Sequence, residues 1–301
     1  MSSLTTEQKA FVDHDGDVFL IACPGAGKTK AVTHRIARLL NGLPPRKGIA
    51  VLSFTNSAVQ EIKRRCVELR IDKAIASPSL ISTFDSFLCK FIFLPLLGSA
   101  IKNRPSIIDS WRTYGEEVRL SGRYAFRGDG ISLDLFDEYG RISQPNVIRN
   151  PALKKHFLQN RERYEGEALR ALKRLRNAGQ YTMADVRREV VKLLEDDRNQ
   201  QEVTQFLRAR FSELIVDEAQ DCNEMDIKVI SVLRKAGVSI SIVCDPNQAI
   251  YSFRSSSAKA VPIKAFLETY DASNVLNFTG NFRSSPIICE AAGVQKTVGD
   301  P

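Results

Sequence analysis

The chain has few residues that could cross-link it or bind a transition metal. Its 301 residues include six cysteines and three histidines, and the cysteines at positions 23, 66, 89, 222, 244 and 289 form no CxxC pair. Zinc sites and disulfide frameworks need cysteines or histidines at short, repeated spacings. We therefore predict reduced, mostly buried thiols and neither a zinc nor an iron–sulfur site.

Long apolar runs are also missing. The longest, at 18–23 and 91–97, are far shorter than the ~20 residues that a helix needs to cross a bilayer. The first seven residues lack the basic region and apolar core of a secretion signal. The sequence thus predicts a cytoplasmic protein with no membrane partner.

The sequence is rich in apolar residues and carries a net positive charge. A hydrophobic content of 43% is sufficient for one large or two modest domains. The formal net charge of +8 favours a polyanionic partner.

Short apolar runs alternate with amphipathic stretches at both ends of the chain. Strands are predicted at 18–22, 49–54, 79–83, 214–216, 239–243 and 275–278, and helices at 28–40, 58–69 and 85–94. This alternation is typical of an α/β fold with a parallel sheet that is covered on both faces. Between about 103 and 209 strand signals are sparse, which predicts a mostly helical insertion.

A loop suited to phosphate binding follows the first strand. The segment Cys23-Pro24-Gly25-Ala26-Gly27-Lys28-Thr29 leads directly into a helix. In such loops backbone N–H groups and the positive helix end face phosphate oxygens, the lysine reaches the β and γ phosphates, and the threonine binds Mg²⁺. Ala22 stands where the usual pattern has glycine, and its methyl group is small enough for the loop to function.

Two carboxylates follow a later buried strand. Asp217 and Glu218 come directly after Leu214-Ile215-Val216. A carboxylate in this place can hold Mg²⁺ through its waters, which is the predicted role of Asp217, and its neighbour Glu218 can orient and deprotonate the attacking water. Together with the phosphate loop, this pair predicts ATP and Mg²⁺ as cofactors.

The order of motifs resembles that of the UvrD/Rep/PcrA-like superfamily 1A DNA helicases. The matching segments are a Q motif at Leu4–Ala10, motif Ia at Leu52–Ala58, motif Ib at Ser82–Phe87, motif II at Asp217–Asp221, motif III at Val243–Arg254 and a motif IV element at Asn281–Ser284. The resemblance implies a RecA-like P-loop NTPase domain formed by residues 1–102 and 210–301, with a 1B-like helical subdomain at 103–209.

The resemblance also implies roles around the nucleotide. Gln8 would form paired hydrogen bonds with adenine, and Phe282, where tyrosine is usual, would stack on the base. Lys30 occupies a position where similar proteins often have arginine over the other face of the adenine. Gln248 would sense the γ-phosphate, and Arg283 would place a cation on the transferring phosphoryl group.

Contacts to single-stranded DNA are implied in the same way. Phe54, Tyr251 and Phe253 are candidates for stacking on bases, with Phe253 replacing the usual tryptophan. Thr55 and Asn56 are candidates for hydrogen bonds to DNA phosphates. Asp85 stands where similar proteins usually carry histidine, and an acid beside a phosphate path is unfavourable.

The basic stretch within the insertion has two interpretations. Lysine and arginine residues between 149 and 176 could face DNA. They could equally form a solvated helix face, because Glu162, Glu165 and Glu167 lie among them.

The sequence leaves three functions open. The first is an ATP-hydrolysing helicase or translocase on single-stranded or tailed DNA, with the 3′ to 5′ polarity that the resemblance implies. The second is an ATP-dependent subunit of a helicase–nuclease complex in DNA repair or Gabija-like anti-phage defence, with a nuclease partner. The third is a nucleotide-sensing module without motor activity. No second motor domain is recognised before Pro301, so we expect weak hydrolysis by these residues alone.

Overall fold

A computed structural model describes residues 3–97, 105–245 and 262–282. The chain divides into two compact units: a sheet unit of residues 1–92 and 190–301, and an inserted unit of residues 93–189. Residues 190–209, which the sequence analysis assigns to the insertion, group with the sheet unit.

The helices and strands are numbered in chain order. The strands of the described residues are β1 (Val18–Ala22), β2 (Gly48–Ser53), β3 (Leu80–Thr83), β4 (Ser106–Ile108), β5 (Glu117–Val118), β6 (Ile131–Ser132), β7 (Gln180–Thr182), β8 (Phe211–Val216), β9 (Ile240–Cys244) and β10 (Val275–Phe278). The α-helices are α1 (Thr6–Asp13), α2 (Lys28–Leu40), α3 (Asn56–Glu68), α4 (Asp72–Ile75), α5 (Phe84–Phe87), α6 (Leu94–Leu97), α7 (Pro151–Gln159), α8 (Arg161–Asn177), α9 (Met183–Glu195), α10 (Asp197–Arg210), α11 (Glu224–Lys235) and α12 (Pro262–Leu267). A π-helix covers Leu88–Phe93, and 3₁₀ turns cover Gly122–Tyr124, Leu133–Leu135, Pro145–Val147, Ala219–Asp221 and Ala272–Asn274. Within the described ranges, none of these helices has the length and apolar character required to cross a membrane.

Six strands of the sheet unit form one parallel sheet. Their order is β10-β1-β9-β8-β2-β3. Every residue of β2 and β9 is buried, as expected for strands whose two faces are both covered by crossover helices. The predicted α/β fold with a parallel sheet is confirmed. Because all six strands run the same way, their carboxyl ends lie along one edge.

The helix predicted over residues 85–94 is wrong in detail. Helix α5 ends at Phe87, and a π-helix follows it. Phe87 and Leu88 are fully buried, and so are Ile92 and Phe93, five positions later. A π-helix bonds residue i to residue i+5, so it places residues five apart on one face.

A buried arginine joins α2 to the sheet and to the end of α1. Arg35 pairs with Glu213 on β8, with 2.8 Å between Nε and Oε1 and 2.9 Å between Nη2 and Oε2. Its other N–H groups donate to the carbonyl oxygens of Phe11, His14 and Gly16. All five guanidinium donors are therefore used.

The inserted unit has its own apolar core. Helices α7 and α8 supply Phe157, Tyr164 and Leu172 to it, and Trp111, the one tryptophan of the sequence, is only 3% exposed there. Strand β4 pairs with β7, and β5 pairs with β6. The unit therefore buries apolar side chains independently of the six-stranded sheet.

Many of the basic residues of α8 are ion-paired within the inserted unit. The pairs are Arg161–Glu165 (2.8 Å), Arg170–Glu167 (2.6 Å), Arg174–Glu116 (2.8 Å) and Arg176–Asp185 (3.3 Å). Of the two interpretations of this stretch, the pairing favours a solvated helix face whose charges are neutralised locally.

Candidate functional site

Three of the predicted catalytic residues, Lys28, Asp217 and Glu218, lie on segments that follow strands at the carboxyl edge of the sheet. The phosphate loop follows β1, Asp217 and Glu218 follow β8, and Asp245 follows β9. Since β1, β9 and β8 are consecutive in the sheet, the segments that follow these strands are neighbours. Ligands of open α/β sheets bind in a crevice at this edge.

The phosphate loop depends on two glycines with left-handed backbone conformations. Gly25 has φ 78° and Gly27 has φ 79°, values that side chains rarely permit. A Cβ atom on Gly27 would also lie 2.6 Å from Nε2 of Gln8. Helix α2 starts at Lys28, so its first N–H groups and the positive end of its dipole face the loop.

A small cavity opens at the start of α2. It has a volume of about 120 Å³ and is lined by Gly25, Gly27, Lys28, Thr29, Lys30, Arg65 and Glu218. Pockets for whole small molecules usually measure roughly 300–1,000 Å³. The lining of the cavity includes Lys28 and Thr29, the residues predicted to contact the phosphates and Mg²⁺.

The amine of Lys28 is held by a buried carboxylate. Its Nζ lies 2.9 Å from Oδ2 of Asp245, which is fully buried. This pairing links the first residue of α2 to the residue that follows β9. A bound phosphate would supply a second anionic partner for the same amine.

Asp217 has the surroundings of a metal-binding carboxylate. It is 3% exposed, and its Oδ1 is buried with no hydrogen-bond partner among the described residues. Burial and the adjacent Glu218 raise the pKa of this carboxyl to about 7, while Lys28 opposes the shift. A cation would relieve this unfavourable burial of negative charge.

The Asp217 carboxylate and the Thr29 hydroxyl are oxygen donors of the kind that Mg²⁺ binds. The described residues contain no cluster of three or more His, Cys, Asp or Glu side chains that could hold a metal ion. Mg²⁺ prefers oxygen ligands and is commonly held by one or two carboxylates, waters and substrate phosphates. The Asp217 carboxylate and the Thr29 hydroxyl would provide the protein's share of this coordination.

Glu218 has an unusual backbone conformation, and its carboxylate accepts a hydrogen bond from Gln220, to which the sequence analysis gave no separate role. Its φ of 56° is one of two positive values outside glycine in the described residues, and such strain is characteristic of functional sites. Nε2 of Gln220 donates to Oε2 of Glu218, and Oε1 of Gln220 accepts from the backbone N–H of Asp245. Gln220 thus connects the predicted catalytic carboxylate to the end of β9.

Arg65 is a second residue that the sequence analysis missed. It lies on α3, lines the phosphate cavity and pairs with Glu61 at 2.6 Å. The buried positions Val59, Ile62 and Cys66 mark the inner face of this helix. Helical periodicity places residue 65 beside that face, so the sequence contained a signal for it.

Gln8 contacts the phosphate loop directly. Its Nε2 donates to the carbonyl of Ala26 at 3.0 Å, and its Oε1 accepts from the backbone N–H of Thr5 at 3.2 Å. The amide is therefore already used to cap α1 and support the loop. Its pairing with adenine stays a prediction.

The segment that carries Phe282 runs beside the phosphate loop. The N–H of Phe282 donates to the carbonyl of Gly25 at 3.0 Å, and the Cys23 thiol lies 3.4 Å from the carbonyl oxygen of Gly280. The Phe282 side chain is 45% exposed, so its ring is accessible. Lys30, in the first turn of α2, donates to the carbonyl of Ser3 at 3.1 Å.

The residues predicted to contact DNA are placed only in part. Phe54 is half-buried and stacks on Phe84, with 5.3 Å between the ring centroids. The hydroxyl of Thr55 caps α3 by accepting from the N–H of Ala58, and Asn56 is exposed. Predicted residues outside the described ranges are Gln248, Tyr251, Phe253 and Arg283.

Asp85 has a structural explanation. It lies in the first turn of α5, which Thr83 caps. A negative charge near the N-terminus of a helix interacts favourably with its dipole. Asp85 is therefore compatible with the local helix. This local role is separate from any effect of its charge on a DNA phosphate.

Comparisons with known proteins agree with this geometry. A sequence model described as the UvrD/REP helicase N-terminal domain matches residues 4–270. The chain is 25% identical over 301 residues to the ATP-dependent DNA helicase PcrA of Staphylococcus aureus, an alignment covering 97% of this chain and 40% of the relative. It is 27% identical over 295 residues to a DNA helicase II homologue of Mycoplasma capricolum, covering 93% and 39%. The chain thus spans about two fifths of the length of the curated relatives it matches.

Proposed function

Because the chain belongs to the UvrD/REP helicase family, we propose that it binds and hydrolyses ATP with Mg²⁺ as part of a DNA helicase or translocase. The observation that supports this most directly is the meeting of the phosphate loop with Asp217 and Glu218 at one edge of the sheet. A phosphate loop alone binds anions. The two carboxylates add what is needed for metal-assisted attack by water.

Each group around the cavity has a role in this proposal. Lys28 contacts the β and γ phosphates, leaving Asp245 or sharing its amine between the two. Thr29 and Asp217 hold Mg²⁺, and Glu218 orients the attacking water. Arg65 provides a further positive charge at the phosphate end.

The proposal extends to the residues implied by family resemblance. Gln248 senses the γ-phosphate, and Arg283 stabilises the charge that develops during phosphoryl transfer. Tyr251 and Phe253 stack on single-stranded bases, together with the half-buried ring of Phe54. Movement is 3′ to 5′ along the strand. These roles rest on the motif matches.

The first experiment measures nucleotide binding by the wild type and by Lys28→Ala. Losing a charge-assisted contact to phosphate should weaken ATP binding roughly 10- to 150-fold. Lys73→Ala is a matched control, because Lys73 is exposed and does not line the phosphate cavity. Equal ATP affinities for the wild type and Lys28→Ala would refute the ATP site.

The second experiment separates a motor from a nucleotide sensor. Single-stranded DNA should stimulate ATP hydrolysis, and the stimulation should weaken as salt is raised because phosphate contacts release counterions. Strand displacement on a duplex with a 3′ tail, compared with a 5′ tail, tests polarity. ATP binding with no response of turnover to DNA would contradict the motor and support a sensing role.

A further inference from the structure

Glu7 connects helix α1 to the segment that follows β10. Its Oε2 accepts from the backbone N–H of Thr279 at 3.0 Å, and its Oε1 accepts from the Thr279 hydroxyl at 2.7 Å. Both carboxylate oxygens are thus engaged by one residue. Two simultaneous contacts fix orientation as well as distance.

The segment beyond Thr279 leads directly to Phe282. The Phe282 N–H donates to the carbonyl of Gly25 in the phosphate loop, and just before the segment the N–H of Cys23 donates to the carbonyl of Phe278, the last residue of β10, at 3.4 Å. The segment from Thr279 to Phe282 is therefore held by Glu7 at its first residue and by Gly25 of the phosphate loop at its last. The Glu7 contact lies three residues before Phe282.

Two consecutive residues of α1 therefore contact the phosphate loop and the segment that leads to Phe282. Gln8 supports the phosphate loop through Ala26, and Glu7 holds the segment that carries Phe282. The helix itself is well fixed, because the Thr5–Gln8 capping box begins it and Arg35 binds the carbonyl groups near its end.

We propose that Glu7 is a positioning residue that sets the base-binding side of the nucleotide site by fixing the segment of Phe282 through Thr279. This inference rests on the proposed ATP binding and on the stacking of Phe282 on adenine that the family resemblance implies. Glu7 makes no contact with phosphate in this proposal. Its removal should therefore affect recognition of the base and leave recognition of the triphosphate intact.

A simpler role for Glu7 predicts a different result. As an acid in the first turn of α1, it also interacts favourably with the helix dipole. If that were its only role, its removal would lower stability without changing which nucleotide binds. Base selectivity is therefore the measurement that separates positioning from general stabilisation.

The experiment measures binding of ATP, GTP and inorganic tripolyphosphate to the 301-residue chain in the presence of Mg²⁺. Glu7→Ala should weaken ATP binding about three- to tenfold, consistent with the loss of exposed charge-assisted hydrogen bonds. It should reduce the preference for ATP over GTP by a similar factor, and tripolyphosphate affinity should stay within about twofold. Asp13→Ala removes an exposed carboxylate from the same helix and should change none of these values.

A double-mutant cycle tests the link to Thr279. Thr279→Val removes the hydroxyl donor but keeps the backbone N–H. It should therefore reduce ATP affinity and selectivity less than Glu7→Ala does. Combining the two should be no worse than Glu7→Ala alone, because they remove one shared interaction. Glu7→Gln keeps an acceptor oxygen on a side chain of the same length. It should therefore retain part of the ATP affinity and of the ATP preference that Glu7→Ala loses.

Several results would overturn the inference. These are equal weakening of ATP and tripolyphosphate, unchanged selectivity in Glu7→Ala, or additive effects of the two substitutions. Failure of the wild type to bind ATP would instead contradict the proposed function. The two failures are therefore distinguishable within one set of titrations.

Discussion

Replacing Arg35 with methionine should destabilise the sheet unit by about 3–5 kcal/mol, the usual cost of breaking a buried ion pair from one side. Methionine is apolar and fills a similar space, so the loss comes mainly from the groups left behind. The carboxylate of Glu213 would remain in an environment where it is only 3% exposed. The backbone carbonyl groups of Phe11 and Gly16 would also lose the Arg35 donor, whereas that of His14 would keep Arg38 as a donor.

The contacts of Arg35 indicate which lost interactions contribute most to this destabilisation. Glu213 would retain the hydroxyl of Ser241 as a hydrogen-bond donor, but no opposite charge would remain beside it. Each buried carbonyl left without a donor could add about 1–3 kcal/mol where water cannot reach it. These costs are not additive. We therefore expect a destabilisation in the upper part of the range of about 3–5 kcal/mol, and not the sum of the separate costs.

Urea unfolding followed by far-ultraviolet circular dichroism measures this loss. The double variant Arg35→Met/Glu213→Met should recover much of the stability, because it removes both charges together. Arg38→Met is the control, since Arg38 lies on the same helix and pairs with the exposed Asp15; its cost should be below about 1 kcal/mol. A loss in Arg35→Met as small as in this control, or a double variant less stable than the single one, would refute the reasoning.

Four further predictions concern the site itself. Glu218→Gln should lower ATP turnover by roughly 10² to 10⁴ while ATP affinity changes little, because it removes the general base; an unchanged rate in a steady-state assay would reassign the base. Gln220→Met should lower ATP turnover about tenfold, because it removes the hydrogen bonds to the Glu218 carboxylate and to the Asp245 N–H. A large loss of ATP affinity in the same variant would indicate a structural role instead. Arg65→Met should weaken ATP binding about tenfold, whereas Arg64→Met, on the exposed side of α3, should not, so equal effects in binding titrations would exclude the cavity contact. Phe54→Ala should weaken single-stranded DNA binding by about 1–3 kcal/mol, the usual value of stacking on one base, and joint loss of ATP binding would mean that the ring is needed for folding.

Local features of the site could be predicted from the sequence. The path from β1 through the phosphate loop to α2 involves consecutive residues, and the predicted helix bounds 28–40 agree with α2. Glycine at 25 and 27 is required by the backbone conformation of the loop itself. Such short-range requirements appear directly in the residue order.

Contacts between distant segments could not be predicted in this way. Lys28 and Asp245 are separated by 217 positions, and Glu7 and Thr279 by 272. They meet because β10, β1 and β9 are adjacent in the sheet, and the strand order is not encoded in any local pattern. The contact between Gln220 and Asp245 likewise depends on the adjacency of β8 and β9 in that order.

The charged helix α8 shows a related limit of sequence analysis. The spacing of Arg161 and Glu165 predicts their pairing within the helix. Arg174 pairs instead with Glu116, 58 positions away. Composition alone therefore left the stretch open as a DNA-binding surface, while the structure supplies carboxylate partners for several of its arginines.

The position of Trp111 has a practical consequence for spectroscopy. As the one tryptophan in the sequence, it accounts for all indole emission, and its burial in the core of the inserted unit makes that emission sensitive to unfolding there. The phosphate loop and the carboxylates of Asp217 and Glu218 belong to the other unit, which contributes no indole. Tryptophan fluorescence is thus a reporter of one unit, and a tryptophan introduced at Phe282 would provide a second reporter beside the phosphate loop.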